Sequence, residues 1–239
     1  MPNSFYQPGA QRSAKVNELF TRIAPRYDLI NDLQSIGLHR RWKKKFVALA
    51  AVQPGERALD LCCGTGDVAF ALAQEGAVSV GLDFNQAMIG VARARARTVS
   101  GNGRDPQFLC GDALRLPFAD NSFDVVSIAY GLRNLADWEN GLTEMFRVGA
   151  PGCRLLVLDF GKPPNPIWRA IYFAYLKTLV PLFGKIFCGD AATYRYIFES
   201  LKNYPGQYGV AAKMAEISCR DVRSFNLLGG VMGISIGKK

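Results

Sequence analysis

The sequence lacks several features that common kinds of site require. It contains a single histidine, His39, and none of its six cysteines belongs to a Cys-x-x-Cys pair or to a cluster with metal-ligand spacing. A zinc centre built from cysteine and histidine is therefore not expected, and cysteines scattered through apolar runs are typical of reduced thiols in the cytosol. The opening stretch, MPNSFYQPGAQRSAK, has no apolar signal core, so we expect a cytoplasmic chain.

Long apolar runs that are free of charge are also absent. The most apolar helical segment, 167–187, is interrupted by Arg169, Lys177, Pro181 and Lys185, whereas a membrane-spanning helix needs about 20 mostly uncharged residues. A membrane span is therefore rejected. Aromatic residues with flanking cations are instead typical of a helix that lies in the membrane interface, and a lid over an active site is the alternative interpretation.

Acidic residues are in the minority. The chain has 20 Asp and Glu against 29 Lys and Arg, a net charge of +9, and residues 1–50 contribute +6 of it through nine basic and three acidic side chains. Such a bias favours an anionic partner, for example nucleic acid, lipid headgroups or a phosphorylated substrate. A solvated helix face is the alternative interpretation.

Apolar patterns of strand and helix type alternate between residues 54 and 160. They predict strands at 57–62, 78–82, 107–110, 124–129 and 153–159 and helices at 67–75, 86–97 and 137–148. This alternation predicts an α/β fold with a Rossmann-like, doubly wound, mostly parallel sheet, whose ligand lies at the carboxyl ends of the strands. The final stretch, SCRDVRSFNLLGGVMGISIGKK, predicts two more strands joined by a tight turn, so the sheet should have seven strands, one of them antiparallel.

The length and apolar content fit one large domain. The chain has 239 residues, of which 49% are hydrophobic, so it can bury a sizeable core. We expect a single domain in four parts. They are an N-terminal helical cap (1–53), a cofactor-binding core (54–160), a helical lid or substrate region (161–216) and a C-terminal strand hairpin (217–239).

The stretch 58–73, ALDLCCGTGDVAFALA, predicts a strand, a glycine loop and a helix. Its letters GTGDVA also fit the dinucleotide pattern G-x-G-x-x-G/A. A dinucleotide, however, places its pyrophosphate on the helix N-terminus, where Asp67 would repel it. S-adenosylmethionine carries a sulfonium and an ammonium but no phosphate, so Asp60 and Asp67 suit it. Gly64 and Gly66 let the backbone approach such a ligand closely.

Two further acids follow the next strands. Asp83 ends the second strand, where a carboxylate can accept both ribose hydroxyls in charge-assisted hydrogen bonds. NAD enzymes use the same device, so Asp83 alone does not discriminate between the two cofactors. Asp112 lies just past the third strand, where an acid can accept a hydrogen bond from the exocyclic amine of adenine.

Together these motifs resemble the class I methyltransferases that depend on S-adenosylmethionine. The resemblance is carried by LDLCCGTGD, GLDF and GDALRLPFADNSFDVVSIAYGLRN, and the blocks LFTRIAPRYDLIND and YRYIFESLKNYPG extend it over nearly the whole chain. More narrowly, the chain is similar to the quinone-biosynthesis C-methyltransferases that finish menaquinone and, in some organisms, methylate the ubiquinone ring.

This resemblance implies cofactor contacts at Thr65, Asp83, Asp112 and Ala113, and methylation of a ring carbon in a polyprenylated quinol. Demethylmenaquinol is the preferred substrate. The chain ends in GGVMGISIGKK, which departs from the usual ending of the family. Methylation of 2-methoxy-6-polyprenyl-benzoquinol or of demethylphylloquinol therefore stays open.

Methylation at carbon requires that a ring hydroxyl lose its proton, which spreads charge onto the adjacent carbon. Histidine is the usual general base, but we expect His39 to be a surface or capping residue. The preferred catalytic candidates are Arg133, which can stabilise a phenolate, Asp67 as a proton acceptor through water, and Tyr27 as a cover for the cofactor. The structural alternatives are an ion pair with Asp137 for Arg133, a helix cap for Asp67 and a core position for Tyr27.

A polyprenyl tail is insoluble, so the resemblance also implies transient association with a membrane surface, on the inner face of the membrane. The aromatic residues expected to line a tail channel are Trp168, Tyr172, Tyr175 and Phe183. An NAD-dependent reductase is disfavoured, because no Tyr-x-x-x-Lys follows the fourth strand. A nucleic-acid methyltransferase is disfavoured by the absence of an Asn/Asp-Pro-Pro-aromatic block there. We therefore expect no nucleic-acid partner, and a homo-oligomer stays open.

Overall fold

The computed structural model describes residues 10–24, 27–35, 37–99, 105–188, 198, 200–201 and 204–239. The helices are α1 (Ala10–Ile23), α2 (Tyr27–Ser35), α3 (Leu38–Ala50), α4 (Asp67–Gln74), α5 (Gln86–Val99), α6 (Trp138–Val148), α7 (Pro166–Cys188) and α8 (Gly206–Glu216). The strands are β1 (Arg57–Leu61), β2 (Val78–Asp83), β3 (Gln107–Cys110), β4 (Phe123–Ala129), β5 (Gly149–Phe160), β6 (Arg220–Leu227) and β7 (Met232–Lys238).

The seven strands form one sheet in the order β3-β2-β1-β4-β5-β7-β6. Strands β1 to β5 pair in parallel, and β7 runs antiparallel to both β5 and β6. The predicted seven-stranded sheet with one reversed strand is confirmed. The strand order reverses between β1 and β4, so the crevice at the carboxyl ends of these two strands is where a ligand is expected.

Helices cover both faces of the sheet, which explains why the strands are apolar runs rather than alternating ones. In β5, Leu155 and Val157 pack with α6, α7 and α8, whereas Leu156 and Leu158 pack with α3 and α4. The strand β5 begins at Gly149, four residues before its predicted start. Its first residues pair with Phe123 across a shift in register, a feature that periodicity does not reveal.

The N-terminal helices lie against the carboxyl edge of the sheet. The side-chain amide of Asn85, at the start of α5, donates hydrogen bonds to the carbonyl and the side-chain oxygens of Asn17 and to Thr21 Oγ1, at 2.7–2.9 Å. In α3, Lys43 Nζ lies 2.7 Å from Asp67 Oδ2 at the start of α4. Polar contacts therefore hold α1 and α3 onto the core.

Helix α7 combines a buried face with an exposed one. Tyr172 and Leu176 pack into the core, whereas Ile167, Trp168 and Ile171 are exposed. No helix within the described part of the chain is both long and apolar enough to cross a bilayer. The side chain of Phe183 and most of the block 191–203 lie outside the described residues, and the division of the chain into four parts stays a prediction.

Candidate active site

A cavity of about 620 Å³ opens at the carboxyl ends of β1 to β4. Helices α1 and α2 cover it. Its lining comprises Val16, Asn17, Phe20, Tyr27, Cys62, Gly64, Leu82, Asp83, Phe84, Asn85, Met88, Gly111, Asp112, Ala113, Leu114, Ala129, Tyr130, Gly131, Asn134, Leu135 and Ala136. The cavity therefore lies at the switch in strand order, where the sequence predicted the ligand.

The glycine loop after β1 needs its two glycines for different reasons. Gly64 lines the cavity with φ +55°, and a Cβ there would lie 3.7 Å from Cε1 of Tyr27. Gly66 has φ +92°, and a Cβ there would come within 2.7 Å of the ring of Phe108. Gly64 thus brings backbone to the cavity under Tyr27, whereas Gly66 allows the loop to pack on β3.

Asp83 places a fixed carboxylate in the cavity. Its Oδ2 accepts a hydrogen bond from the amide of Gly64 and its Oδ1 accepts one from the amide of Asn85, both at 2.8 Å. Burial raises the pKa of Asp83, and these amide bonds oppose the rise. Both oxygens are held by backbone, so the carboxylate is oriented before any ribose hydroxyl donates to it.

Asp112 and Ala113 line the same cavity after β3. Asp112 Oδ1 accepts a hydrogen bond from the amide of Leu114 at 2.9 Å, which closes a tight turn around Ala113. The side chain of Asp112 is exposed and Ala113 is buried. The structure therefore brings Asp83, Asp112 and Ala113 together with Gly64, as predicted.

Asp60 is buried away from the cavity lining. Only 1% of it is exposed, and its Oδ1 accepts a hydrogen bond from Ser127 Oγ at 2.8 Å. Burial raises the pKa of Asp60 to about 7. It can therefore influence a cationic ligand through its field, but it is not among the side chains that line the cavity.

Asp67 differs most from its predicted placement. Its Oδ2 pairs with Lys43 Nζ at 2.7 Å and its Oδ1 with Arg95 Nη1 at 2.8 Å. Burial would raise its pKa, but Lys43 and Arg95 together hold it below the usual range. Asp67 does not line the cavity, so its predicted role as a proton acceptor near the methyl donor is not supported by this placement.

Thr65 and Gly66 are also directed away from the cavity lining. The hydroxyl of Thr65 donates to Asp28 Oδ1 of α2 at 2.9 Å, and its carbonyl accepts a hydrogen bond from Arg95 Nη1 at 2.8 Å. Thr65 therefore fastens the glycine loop to α2 and α5. Its implied contact with the cofactor stays a prediction.

Arg133 follows β4 as predicted, in a short 3₁₀ helix over Leu132–Asn134. Only 7% of the residue is exposed. Its Nη1 lies 3.1 Å from Asp159 Oδ1, and its amide donates to Asp159 Oδ2 at 3.0 Å. The partner is thus Asp159 at the end of β5, and not Asp137, whose carboxylate accepts the amides at the start of α6.

Arg133 and Asn134 both donate to the carbonyl oxygen of Tyr130. Asn134 lines the cavity, whereas Arg133 lies behind it and stacks on Phe160, with its Cζ 4.6 Å from the ring centroid. The Arg133–Asp159 pair therefore supports the backbone turn that carries Tyr130.

Tyr27 lines the cavity as expected, above Gly64. Burial raises its pKa, while Lys43, a hydrogen bond with Asn31 and Arg133 oppose the rise. Its ring lies edge-on to Phe20 of α1, with the centroids 6.0 Å apart. Tyr27 is therefore a phenol within the covering helices that faces the ligand space.

Sequence reasoning missed two other residues near the site. Tyr130 lines the cavity, and its place directly after β4 in the motif YGLRN is the sequence signal that could have indicated it. Lys43 lies 5.9 Å from the Tyr130 ring centroid, and nothing local in α3 marked it. His39, expected to be a surface or capping residue, is buried, with Nε2 2.8 Å from Asp32 Oδ1.

The charge of the cavity fits S-adenosylmethionine. Among the described residues that line it, two are carboxylates, Asp83 and Asp112, and none is Lys, Arg or His. A pyrophosphate would meet repulsion in such a lining, whereas a ligand with a sulfonium, an ammonium and two ribose hydroxyls finds acceptors.

The chain matches the ubiE/COQ5 methyltransferase family over residues 9–239. It is 42% identical over 238 residues to the ubiquinone/menaquinone biosynthesis C-methyltransferase UbiE of Ectopseudomonas mendocina. The aligned region covers 97% of this chain and 91% of that protein. The chain is 39% identical over 236 residues to a demethylmenaquinone methyltransferase of Desulfitobacterium hafniense, with coverage of 97% and 92%.

Solved structures share the fold. The magnesium protoporphyrin IX methyltransferase of Synechocystis PCC 6803, with bound SAH, superposes with a TM-score of 0.61 at 20% identity, over 84% of this chain and 83% of that one. A SAM-dependent methyltransferase from Aquifex aeolicus gives a TM-score of 0.58 at 16% identity, over 82% and 88%. The class I methyltransferase fold is thus confirmed, and the methyl donor is S-adenosylmethionine. The chain belongs to the ubiE/COQ5 methyltransferase family.

Proposed function

We propose that the protein methylates a ring carbon of a polyprenylated quinol, with demethylmenaquinol preferred over 2-methoxy-6-polyprenyl-benzoquinol and demethylphylloquinol. The observation that carries the proposal is the composition of the cavity. Its described lining has two carboxylates, Asp83 and Asp112, at the ends of β2 and β3, and a phenol, Tyr130, at the end of β4. A second phenol, Tyr27 of α2, lies over Gly64. The names of relatives about 40% identical over 97% of the chain support the same reaction.

The two sides suit two ligands. When bound, S-adenosylmethionine supplies an electrophilic methyl group on a positively charged sulfur. Asp83 is oriented to accept ribose hydroxyls, and Asp112 with Ala113 lies where the adenine edge is expected. The phenolic side, at the end of β4, is left for the aromatic ring of a quinol.

Carbon is a poor nucleophile until a ring hydroxyl is deprotonated, so the protein must favour the phenolate and align the ring. Arg133 is buried beside the phenolic side, and its positive charge opposes the rise in the pKa of Tyr27. The same field favours a ring oxyanion in that half of the cavity. Because Arg133 does not line the cavity, we assign it the role of a positioning residue.

An assay of methyl transfer tests this function. The protein is incubated with methyl-labelled S-adenosylmethionine and lipid vesicles that contain either demethylmenaquinol or the benzoquinol. We expect label in the naphthoquinol, with a smaller yield from the benzoquinol. Binding of the cofactor without label in either ring would contradict the substrate assignment.

We also propose that the protein docks on a bilayer through an apolar patch on α7 and the turn after β6. The patch consists of Ile167 (72% exposed), Trp168 (36%), Ile171 (53%) and Leu228 (54%). It is continuous, because Trp168 Nε1 donates to the carbonyl of Leu228 at 3.2 Å. The strands β5 and β6 run in the same direction, since both are antiparallel to β7. The segments that follow them, which carry the patch, therefore lie at the carboxyl edge of the sheet, as the cavity does. This position suits delivery of a lipid-soluble substrate.

Sedimentation with anionic vesicles tests the docking proposal. The double variant Ile167→Ser/Ile171→Ser should bind vesicles at least about 10-fold more weakly, since it removes two large apolar groups from the interface. Val78→Ser is the matched control, because Val78 is 59% exposed at the opposite end of β2. Equal binding by the double variant and the wild type would exclude this patch as the docking surface.

A further inference from the structure

The backbone directly after β4 holds Tyr130 in an unusual conformation. Tyr130 has φ +62°, in the left-handed region that residues other than glycine seldom adopt. Its amide donates to the carbonyl of Leu158 at 2.7 Å, and its own carbonyl accepts hydrogen bonds from the side chains of Arg133 and Asn134. The turn is thus fixed from both sides, and it places Tyr130 in the lining of the cavity.

The hydroxyl of Tyr130 is a buried donor without an acceptor in the described part of the chain. Another phenol has a partner: the oxygen of Tyr208 accepts a hydrogen bond from Asn226 at 2.7 Å. Buried polar groups are usually satisfied, and one that is not, on a residue that lines a ligand cavity, points to a ligand atom as its partner.

We propose that the Tyr130 hydroxyl donates a hydrogen bond to a ring oxygen of the quinol, and thereby fixes which ring carbon faces the methyl donor. This inference rests on the proposed function. The carboxylates that suit the cofactor lie at the ends of β2 and β3, whereas Tyr130 lies at the end of β4, on the other side of β1. The donor is therefore on the phenolic side of the cavity, where the quinol ring is assigned.

The surroundings of Tyr130 suit a negatively charged acceptor. Lys43 Nζ lies 5.9 Å from the centroid of its ring, and Arg133 is adjacent in the same turn. Burial raises the pKa of Tyr130, and so do Tyr27 and Asp159, so the phenol keeps its proton and remains a donor. A hydrogen bond from a neutral phenol to a phenolate is charge-assisted and stronger than one to a neutral hydroxyl.

The variant Tyr130→Phe tests the proposal, since it removes one oxygen and keeps the ring in its edge-on contact with Phe160, where the centroids are 6.2 Å apart. We expect kcat/KM for the quinol to fall by about 10- to 100-fold, as for loss of a hydrogen bond to a charged group. Affinity for S-adenosylhomocysteine, measured by calorimetry, should stay within about twofold of the wild type, because the acceptors for that ligand are untouched. Tyr208→Phe, an exposed phenol on α8, is the matched control and should leave all of these values unchanged.

A second readout does not depend on turnover. Binding of the methylated quinol to the S-adenosylhomocysteine complex should weaken in Tyr130→Phe and not in Tyr208→Phe. Unchanged quinol kinetics and binding in Tyr130→Phe would overturn the inference alone, and so would a loss of affinity for S-adenosylhomocysteine as large as that for the quinol. Absence of methyl transfer by the wild type to any quinol would overturn the proposed function, and with it this inference.

Discussion

Replacement of Arg133 by Ala should destabilise the protein by about 3 kcal/mol, because it leaves the Asp159 carboxylate buried without its cation. The side chains of the pair are only 6% and 2% exposed. Breaking such a pair costs about 3–5 kcal/mol. The lower value applies here, because the amides of Arg133 and Phe160 still donate to Asp159 at 3.0 and 2.8 Å.

A double-mutant cycle separates the pair from the rest of the side chain. Asp159→Asn should also destabilise, since it leaves the guanidinium buried opposite a neutral amide. Arg133→Ala/Asp159→Asn removes both charges, so its loss should be smaller than the sum of the two single losses by at least about 2 kcal/mol. Urea unfolding of the wild type, the two single variants and the double variant measures the free energies of unfolding. The values are compared with the same dependence of the free energy on urea concentration (the m-value) for all four proteins.

The same proteins test whether Arg133 acts in the reaction. If it positions the turn at Tyr130 and favours the phenolate, the double variant should recover stability but not turnover, and its affinity for the cofactor should be unaffected. A loss below about 1 kcal/mol in Arg133→Ala, or additive losses in the cycle, would refute the reasoning from the buried pair.

Two predictions concern other charges near the site. The pKa of Asp60 is raised from 3.8 to about 7 by burial, so its ionisation disfavours the fold, and stability should fall as the pH rises from about 4 through 7. Asp60→Asn should therefore be more stable than the wild type at pH 8, by up to about 4 kcal/mol at 1.36 kcal/mol per unit of pKa shift. Near pH 4 the two proteins should be equally stable. Thermal unfolding across this pH range checks both expectations, and a stability difference that does not depend on pH would refute the raised pKa of Asp60. Lys43→Met should cost about 1–2 kcal/mol, because it removes one of the two cations that pair with the largely buried Asp67 and leaves only Arg95. Lys44→Met, at an exposed neighbouring position, should cost little. Urea unfolding in low and high salt tests this, since salt should weaken the wild-type advantage, and equal losses in the two variants would contradict it.

Much of the fold follows from local patterns. The strand ending at Asp83 and the helix starting at Asp67 lie where the periodicity and the glycine loop placed them, because both depend on neighbours in sequence. The carboxyl edge of a parallel sheet then brings Asp83, Asp112 and Gly64 into one cavity without further information. These are the parts of the site that a reader of the sequence can predict.

Pairings between distant segments could not be predicted in the same way. Asp67 is taken by Lys43, 24 residues earlier, and Arg133 by Asp159, 26 residues later. Asp137 was the nearer candidate for Arg133, but it caps α6. The partner of a charged side chain depends on the tertiary structure, and burial then shifts its pKa. A local motif therefore predicts neither these partners nor the raised pKa of Asp60.

The most direct test of the central claim is the position of the transferred methyl group. The protein is supplied with S-adenosylmethionine labelled with ¹³C in the methyl group and with demethylmenaquinol in vesicles, and the product is examined by NMR. We predict a single labelled methyl group on the ring carbon next to a hydroxyl-bearing carbon. In Tyr130→Phe the amount of this labelled product should fall in parallel with turnover. Label on a ring oxygen, or no labelled quinol while the cofactor binds, would contradict the account.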